Sequence, residues 1–115
     1  MKFSAILFAG IVTADTLTVS FFQGQTCDNG AVQTFKIGEI HKCHATQSVG
    51  ALRLKDVATS FFHRDLVLKL YTNSDCSGRA LAASALSNSG KCANAPQGVT
   101  FSSFQITEND GQFSF

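Results

Sequence analysis

The sequence predicts an all-β fold made of two similar units within one domain. Short apolar or alternating runs of strand length are separated by turn residues such as glycine and asparagine. The pattern recurs after 49 residues, which indicates an internal repeat. The chain has 115 residues, the length of one domain, and 44% of them are hydrophobic, which is enough to form a core.

The first 14 residues have the pattern of a secretory signal peptide. Lys2 supplies a basic start, residues 3–12 are uncharged and mainly apolar, and the small residues ending at Ala14 are typical of a cleavage site. The apolar run is too short to cross a bilayer of roughly 30 Å as a helix. We predict cleavage after Ala14 and a secreted, extracellular chain from 15 to 115. A buried first strand or helix is the alternative.

Four cysteines indicate a disulfide framework in a small secreted chain: Cys27, Cys43, Cys76 and Cys92. Three pairings are possible. The first two cysteines are sixteen residues apart, and so are the last two. This equality favours two local bridges, Cys27–Cys43 and Cys76–Cys92. In the chain-entropy model each adds about 3 kcal/mol to the free energy of unfolding.

A zinc site is the alternative interpretation of one cysteine. His41, Cys43 and His44 place three potential ligands close together. No C-x-x-C pair accompanies them, and an oxidised cysteine cannot bind the metal. We therefore expect no metal site and no cofactor.

The repeat extends to the runs between the cysteines. The paired runs, unit one with unit two, are 17–22 with 66–71, 31–37 with 80–86, and 51–55 with 99–106. The last pair differs in register by an insertion of a few residues. The alanine-rich run 80–86 is assigned to a strand by its counterpart, although alanine favours helix. We expect Phe101, Phe104 and Ile106 to face the core.

These runs divide the chain into four parts after the predicted signal. Unit one spans about 16–57, a linker about 58–65, unit two about 66–107, and a tail 108–115. The linker is predicted to be a loop or a short helical turn.

An aromatic residue at the end of the first run is followed by a hairpin glycine in both units. The pairs are Phe22 with Gly30, and Tyr71 with Gly78. This pattern resembles the Greek-key motif of the βγ-crystallin superfamily, over residues 17 to about 106. The resemblance implies two tandem four-stranded Greek-key motifs that form one disulfide-stapled sandwich.

The chain departs from the family pattern at the hairpin clamp and at the calcium signature. The family motif has a later serine that clamps the hairpin, and Cys43 and Cys92 lie in that region, somewhat earlier. We infer that a disulfide replaces the clamp. Many microbial members bind calcium through a doubled N/D-N/D-x-x-S/T-S signature. Asp28-Asn29 and Asn109-Asp110 lack its hydroxyl residues, so we expect no calcium site.

The linker contains the residue types of a hydrolase without a hydrolase motif. Asp56, Ser60, His63 and Asp65 are close in sequence, but no G-x-S-x-G elbow is present. We interpret the segment as a solvated linker and predict no catalytic residues and no enzymatic activity.

The linker also contains the candidate surface contacts Phe61, Phe62 and Arg64. Two adjacent aromatic side chains point to different sides, so one of them can be exposed next to the cation. Such a pair can anchor a protein in a membrane interface or a partner pocket. The alternative is that one ring packs between the units while the other is half buried.

The predicted function follows from these features and from one further resemblance. The formal net charge of +1 argues against a nucleic-acid partner recruited by bulk electrostatics. The chain resembles fungal small secreted proteins, a class that includes killer toxins and antimicrobial proteins. We predict a monomeric, non-enzymatic virulence effector or cytotoxic protein that contacts a protein, glycan or membrane of foreign cells. The alternative is a structural or stress-protective protein of the producer's own wall or matrix.

Overall fold

The structure is a computed structural model that describes residues 15–28, 30–87 and 89–111. The predicted signal peptide and the last four residues of the predicted tail lie outside the described residues. Within the described residues, the all-β prediction is confirmed. The strands are β1 (Leu17–Phe22), β2 (Gln33–Ile37), β3 (His44–Val49), β4 (Ala51–Lys55), β5 (Leu66–Tyr71), β6 (Ala82–Ala85), β7 (Cys92–Asn94) and β8 (Phe101–Glu108), with one 3₁₀ helix, Thr59–His63, between β4 and β5.

The strands form two four-stranded antiparallel sheets. Sheet A has the order β2-β1-β4-β7, and sheet B has the order β3-β8-β5-β6. Each sheet therefore contains three strands of one unit and one strand of the other. β3 leaves unit one to pair with β8, and β7 leaves unit two to pair with β4.

Equivalent backbone hydrogen bonds relate the two units. The Val32 N–H donates to the Phe21 carbonyl at 2.8 Å, and 49 residues later the Leu81 N–H donates to the Leu70 carbonyl at 2.8 Å. The last strand of unit two is shifted by three residues relative to this offset. In unit one Leu54 pairs with Val19, and in unit two Ile106 pairs with Leu68, the counterpart of Val19. The repeat and its insertion are thus features of the backbone.

The core lies between the two sheets, and β1, β4 and β5 contribute alternate residues to it. Sheet A contributes Leu17, Val19 and Phe21 from β1, all fully buried. Phe104 of β8 meets Phe21 across the interface, with ring centroids 4.9 Å apart. Phe101, Phe104 and Ile106 are all buried, as the sequence predicts. Aromatic pairs at this distance add about 1 kcal/mol beyond the burial of their area.

The predicted disulfide pairing is wrong. The bonds are Cys27–Cys92 and Cys43–Cys76, each with its Cα atoms 5.9 Å apart. The prediction assumed that each unit closes on itself, but β3 and β7 are exchanged between the sheets. Each exchanged strand brings its cysteine to the hairpin of the other unit. Both bonds therefore join unit one to unit two.

Candidate functional site

The linker helix buries one phenylalanine and exposes the next. Phe61 belongs to the core at 2% exposure, whereas Phe62 is 46% exposed and Arg64, two residues later, is exposed as well. The Ala58 N–H donates to the Thr16 carbonyl at 3.0 Å, which fixes the helix beside the start of β1. Of the three predicted contacts, two are at the surface and Phe61 anchors them.

Of the linker residues with hydrolase-type side chains, Ser60 is half-buried and is bonded to a residue outside the linker. The Ser60 hydroxyl donates to the carboxylate of Asp15, a residue that sequence reasoning did not single out. Asp56 and Asp65 are exposed and adopt left-handed backbone angles, φ 53° and 48°, which are turn conformations.

The three residues of the zinc alternative are engaged separately. Cys43 is oxidised, and His41 Nε2 lies 2.9 Å from a carboxylate oxygen of Glu108. The His44 ring stacks on Phe104 with centroids 5.1 Å apart. Among the described residues there is no group of three side chains able to hold a metal ion.

His44 lies in a surrounding that disfavours its charged form. Burial lowers the pKa of His44 below its ordinary value of 6.5, the charge of Lys42 lowers it further, and Glu39 opposes both. Its Nε2 atom is buried and has no hydrogen-bond partner in the described part of the chain. The ring therefore acts as an aromatic packing group between the sheets.

A serine clamp is present in unit two, contrary to the expectation that disulfides replace it. The buried Ser103 hydroxyl donates to the Asn73 carbonyl at 2.5 Å and accepts the Cys76 N–H at 3.0 Å. Ser103 is paired with Tyr71 in unit two. In unit one the residue paired with the equivalent aromatic, Phe22, is Ala51, and Ala51 packs against Phe22. The signal in the sequence was a serine opposite Tyr71 in the last strand.

A small surface cavity of about 220 Å³ lies where the first hairpin meets the loop before β8. Its walls are Gly24, Gln25, Gly50, Gly98, Val99 and Thr100. Pockets for small organic ligands commonly have 300–1,000 Å³, so this one is too small for such a site.

The outer face of sheet A carries polar and positively charged side chains, whereas the side facing the core is apolar. One row across three strands reads Lys36, Thr18, Lys55, and the next reads Thr34, Ser20, Arg53. The Ser20 and Thr34 hydroxyl oxygens are 3.4 Å apart, and the Arg53 guanidinium lies 5.9 Å from the Phe22 ring centroid. These contacts place the second row on the outer face, and the two-residue period of the strands places the first row on the same face.

The equivalent face of sheet B has lost this charge. The matching rows are Ala85, Val67, Thr107 and Ala83, Lys69, Gln105. Lys69 is largely buried, and its ammonium contacts the Asp110 carboxylate at 2.7 Å. Of the two outer sheet faces, that of sheet A is therefore the one whose lysine and arginine side chains have no ion-pair partner among the described residues.

The chain matches no protein-family model, and searches of curated proteins and of solved structures give no match either. In the described residues, no helix has both the length and the apolar character needed to cross a membrane.

Proposed function

We propose that this chain is a secreted, non-enzymatic interaction protein of the βγ-crystallin-like type, which acts on foreign cells as an effector or cytotoxic protein. The observation that carries the proposal is the pair of crossed disulfides, Cys27–Cys92 and Cys43–Cys76. Disulfides persist in oxidising compartments outside the cytosol. A chain locked in this way is suited to survival outside the producing cell.

The strand exchange supports the assignment to a double Greek-key sandwich. Each unit supplies three neighbouring strands to one sheet and its third strand to the other sheet. The serine clamp at Ser103 supports it further, because a clamped hairpin is the family feature that unit two retains. Fold alone does not determine function, so the activity rests on the surface.

The linker helix offers one surface through which such a protein can act. Phe62 is exposed while its neighbour Phe61 is anchored in the core, so the backbone holds the exposed ring in a fixed place. An exposed aromatic on a rigid support, with an exposed cation nearby in the sequence, here Arg64, is typical of a contact residue.

The direct test applies the purified, oxidised chain 15–115 to yeast, bacterial and plant cells and measures death or growth arrest. We expect killing by the oxidised protein and none by a reduced and alkylated sample. Absence of any effect at micromolar concentration contradicts the effector proposal and favours the alternative, a protein of the producer's wall or matrix.

The role of the linker is tested by Phe62→Ala, with Phe61→Ala as its matched control. We expect Phe62→Ala to abolish killing and to leave Tm unchanged, because exposed positions contribute little to stability. Phe61→Ala should lower the free energy of unfolding by about 3–5 kcal/mol, because it empties a core site. A large loss of Tm in Phe62→Ala contradicts a contact role and assigns the residue to packing.

A further inference from the structure

We propose that the outer face of sheet A binds a linear acidic polysaccharide, along a trough that follows β1. This inference goes beyond the proposed function, because binding to such a polymer does not require harm to any cell. The trough is defined by Lys36 on one side, Thr18 and Ser20 on its floor, and Arg53 and Lys55 on the other side.

The shape of the trough follows from the strand order and from side-chain length. β1 is the strand between β2 and β4, and its outward residues in both rows are short hydroxyl residues. The flanking strands carry the long side chains of Lys36, Arg53 and Lys55. Two strand spacings separate the flanking strands by roughly 10 Å. That width accommodates one extended sugar chain.

The hairpin of unit one closes one end of the trough. Phe22, Cys27 and Ala51 form a small buried cluster on this outer side, separate from the main core. The hairpin residue Cys27 therefore covers the β1 floor at Phe22. The other end, at Thr18, is flanked by the two lysines and leads toward the start of β1.

The charge of the trough is uncompensated within the described chain. The four strands of sheet A contain no aspartate or glutamate. The ion pairs among the described residues involve Lys42, Lys69 and His41, and none involves Lys36, Arg53 or Lys55. Three cations on one face of a chain whose formal net charge is only +1 create a local positive potential.

Arg53 is held in place for such a contact. Its guanidinium lies over the Phe22 ring, and its Nε atom is buried without a hydrogen-bond partner in the described chain. A buried donor without a partner is costly in a native protein and calls for an explanation. An anionic group bound to the outer edge of the guanidinium would offset this cost, since bidentate pairing with sulfate or carboxylate suits arginine.

The composition of the trough favours a sugar polymer over the other polyanions. Single-stranded nucleic acid needs aromatic platforms for its bases, and the nearest aromatic ring, Phe22, is buried. A lipid surface needs an apolar group to insert, and both rows of the trough consist of polar side chains. Hydroxyl donors between cations match the hydroxyl and sulfate or carboxylate groups of an acidic glycan.

The experiment measures binding of the oxidised protein to heparin, which carries sulfates, and to polygalacturonate, which carries carboxylates. Dextran serves as the neutral polymer. We expect binding to at least one acidic chain, none to dextran, and an affinity that falls steeply with salt because bound cations release counterions. The two acidic probes distinguish the sources of the shared anionic chemistry.

The decisive variant is the double substitution Lys36→Ala/Lys55→Thr, which installs the residues that sheet B has at these positions. We expect about tenfold weaker binding and a salt dependence reduced to about a third, because one of three cations remains. The control Arg79→Gln/Lys91→Gln removes the same charge from exposed sites outside the strands and should bind like the unmodified chain. Tm of every variant is measured to establish folding.

A second pair of variants tests the floor of the trough without removing a cation. Thr18→Asp places a carboxylate between the two lysines and should abolish binding, whereas Thr18→Ser should preserve it. Equal losses in both double variants, or tighter binding to single-stranded DNA or to phosphatidylserine vesicles than to either glycan, overturn the proposal. Loss of killing with retained glycan binding, or the reverse, separates this inference from the proposed function.

Discussion

The two hairpins that follow β1 and β5 occupy equivalent places but are held down differently. In unit two, Ser103 bonds to Asn73 and to Cys76, and the Asn73 side chain in turn donates to the Ser77 carbonyl at 3.3 Å. In unit one the equivalent of the serine is Ala51, and the hairpin packs on it through the apolar contacts of Cys27. One backbone arrangement is thus stabilised by polar bonds in one unit and by apolar packing in the other.

The connections to the last strand of each unit differ as well. Gly50 alone joins β3 to β4, although these strands lie in different sheets. Residues 95–100 make the equivalent connection from β7 to β8. The short connection brings Gly50 against the hairpin of unit one, and the long connection contacts the same hairpin through hydrogen bonds from the Gln25 side chain to the carbonyl oxygens of Ala95 and Pro96. The three-residue insertion therefore marks where the two units diverge.

The largest expected effect concerns the two disulfides, which hold equivalent positions in the two units. Cys27 Sγ lies 3.4 Å from the Leu52 carbonyl oxygen, and Cys76 Sγ lies 3.4 Å from that of Phe104, the matching position. Replacing either bonded pair by alanines should lower the free energy of unfolding by about 3–4 kcal/mol. Urea denaturation of both double variants measures this, and a loss confined to one of them breaks the equivalence.

The pairing itself is checked by peptide mapping of the oxidised chain. Trypsin separates all four cysteines, because lysine or arginine residues lie between each cysteine and the next. The peptide with Cys27 should be linked to that with Cys92, and the peptide with Cys43 to that with Cys76. Links within either unit would mean that β3 and β7 are not exchanged.

The second prediction tests the short connection. A Cβ on Gly50 would lie 2.0 Å from the Gly24 carbonyl oxygen, a backbone atom that cannot move aside cheaply. Gly50→Ala should therefore cost about 3 kcal/mol of unfolding free energy. The control is Gly98→Ala in the long connection, where the Cβ meets open space and only the positive φ of 80° is strained. We expect Gly98→Ala to lower the free energy of unfolding by about 1 kcal/mol. Similar losses for both variants would contradict the proposed difference between the short and the long connection.

The third prediction concerns Ser103 and its counterpart Ala51, the residues that hold the two hairpins. Ser103→Ala leaves the Asn73 carbonyl and the Cys76 N–H without their partner in a buried place, and should cost about 2 kcal/mol. Ala51→Ser introduces a hydroxyl into an apolar cluster and should cost about 1 kcal/mol. Ser102→Ala, at the half-buried neighbour, should change stability little. A gain in Ala51→Ser would mean that hairpin one accepts the clamp of hairpin two.

The strands were predictable because their signals are local. Alternating runs and the recurrence after 49 residues placed six of the eight strands, all except β3 and β7, and even the alanine-rich β6 was assigned through its counterpart. The exchange of β3 and β7 was not predictable, since sequence spacing does not state which sheet a strand joins. The disulfide pairing was predicted wrongly because the sequence did not show that β3 and β7 are exchanged between the sheets.

The candidate surfaces were predictable in part. The exposure of one linker phenylalanine follows from adjacency in the chain, and the structure identifies it as Phe62. The trough required strand order, because Lys36 and Lys55 are distant in sequence and meet only across β1. A formal net charge near zero concealed their segregation onto one face.

The smallest expected effect concerns His44, which unit two replaces with Ala93 at the same offset. Because burial lowers the pKa of His44 in the folded chain, the unfolded chain takes up the proton first as the pH falls. Stability should therefore decrease as the pH falls from about 6.5 toward the lower pKa of the folded state, and be retained above 6.5. The measurement is Tm at pH 7.5 and at pH 5.

His44→Phe should reduce this fall in Tm, because it keeps a ring stacked on Phe104 and removes both the titration and the unpartnered Nε2 atom. His41→Asn is the matched control, since it alters a nearby histidine whose side chain is exposed and leaves His44 in place. The fall should persist in the control. An unchanged fall in His44→Phe would mean that His44 is hydrated in solution, and that the extra aromatic contact of unit one does not distinguish it energetically from unit two.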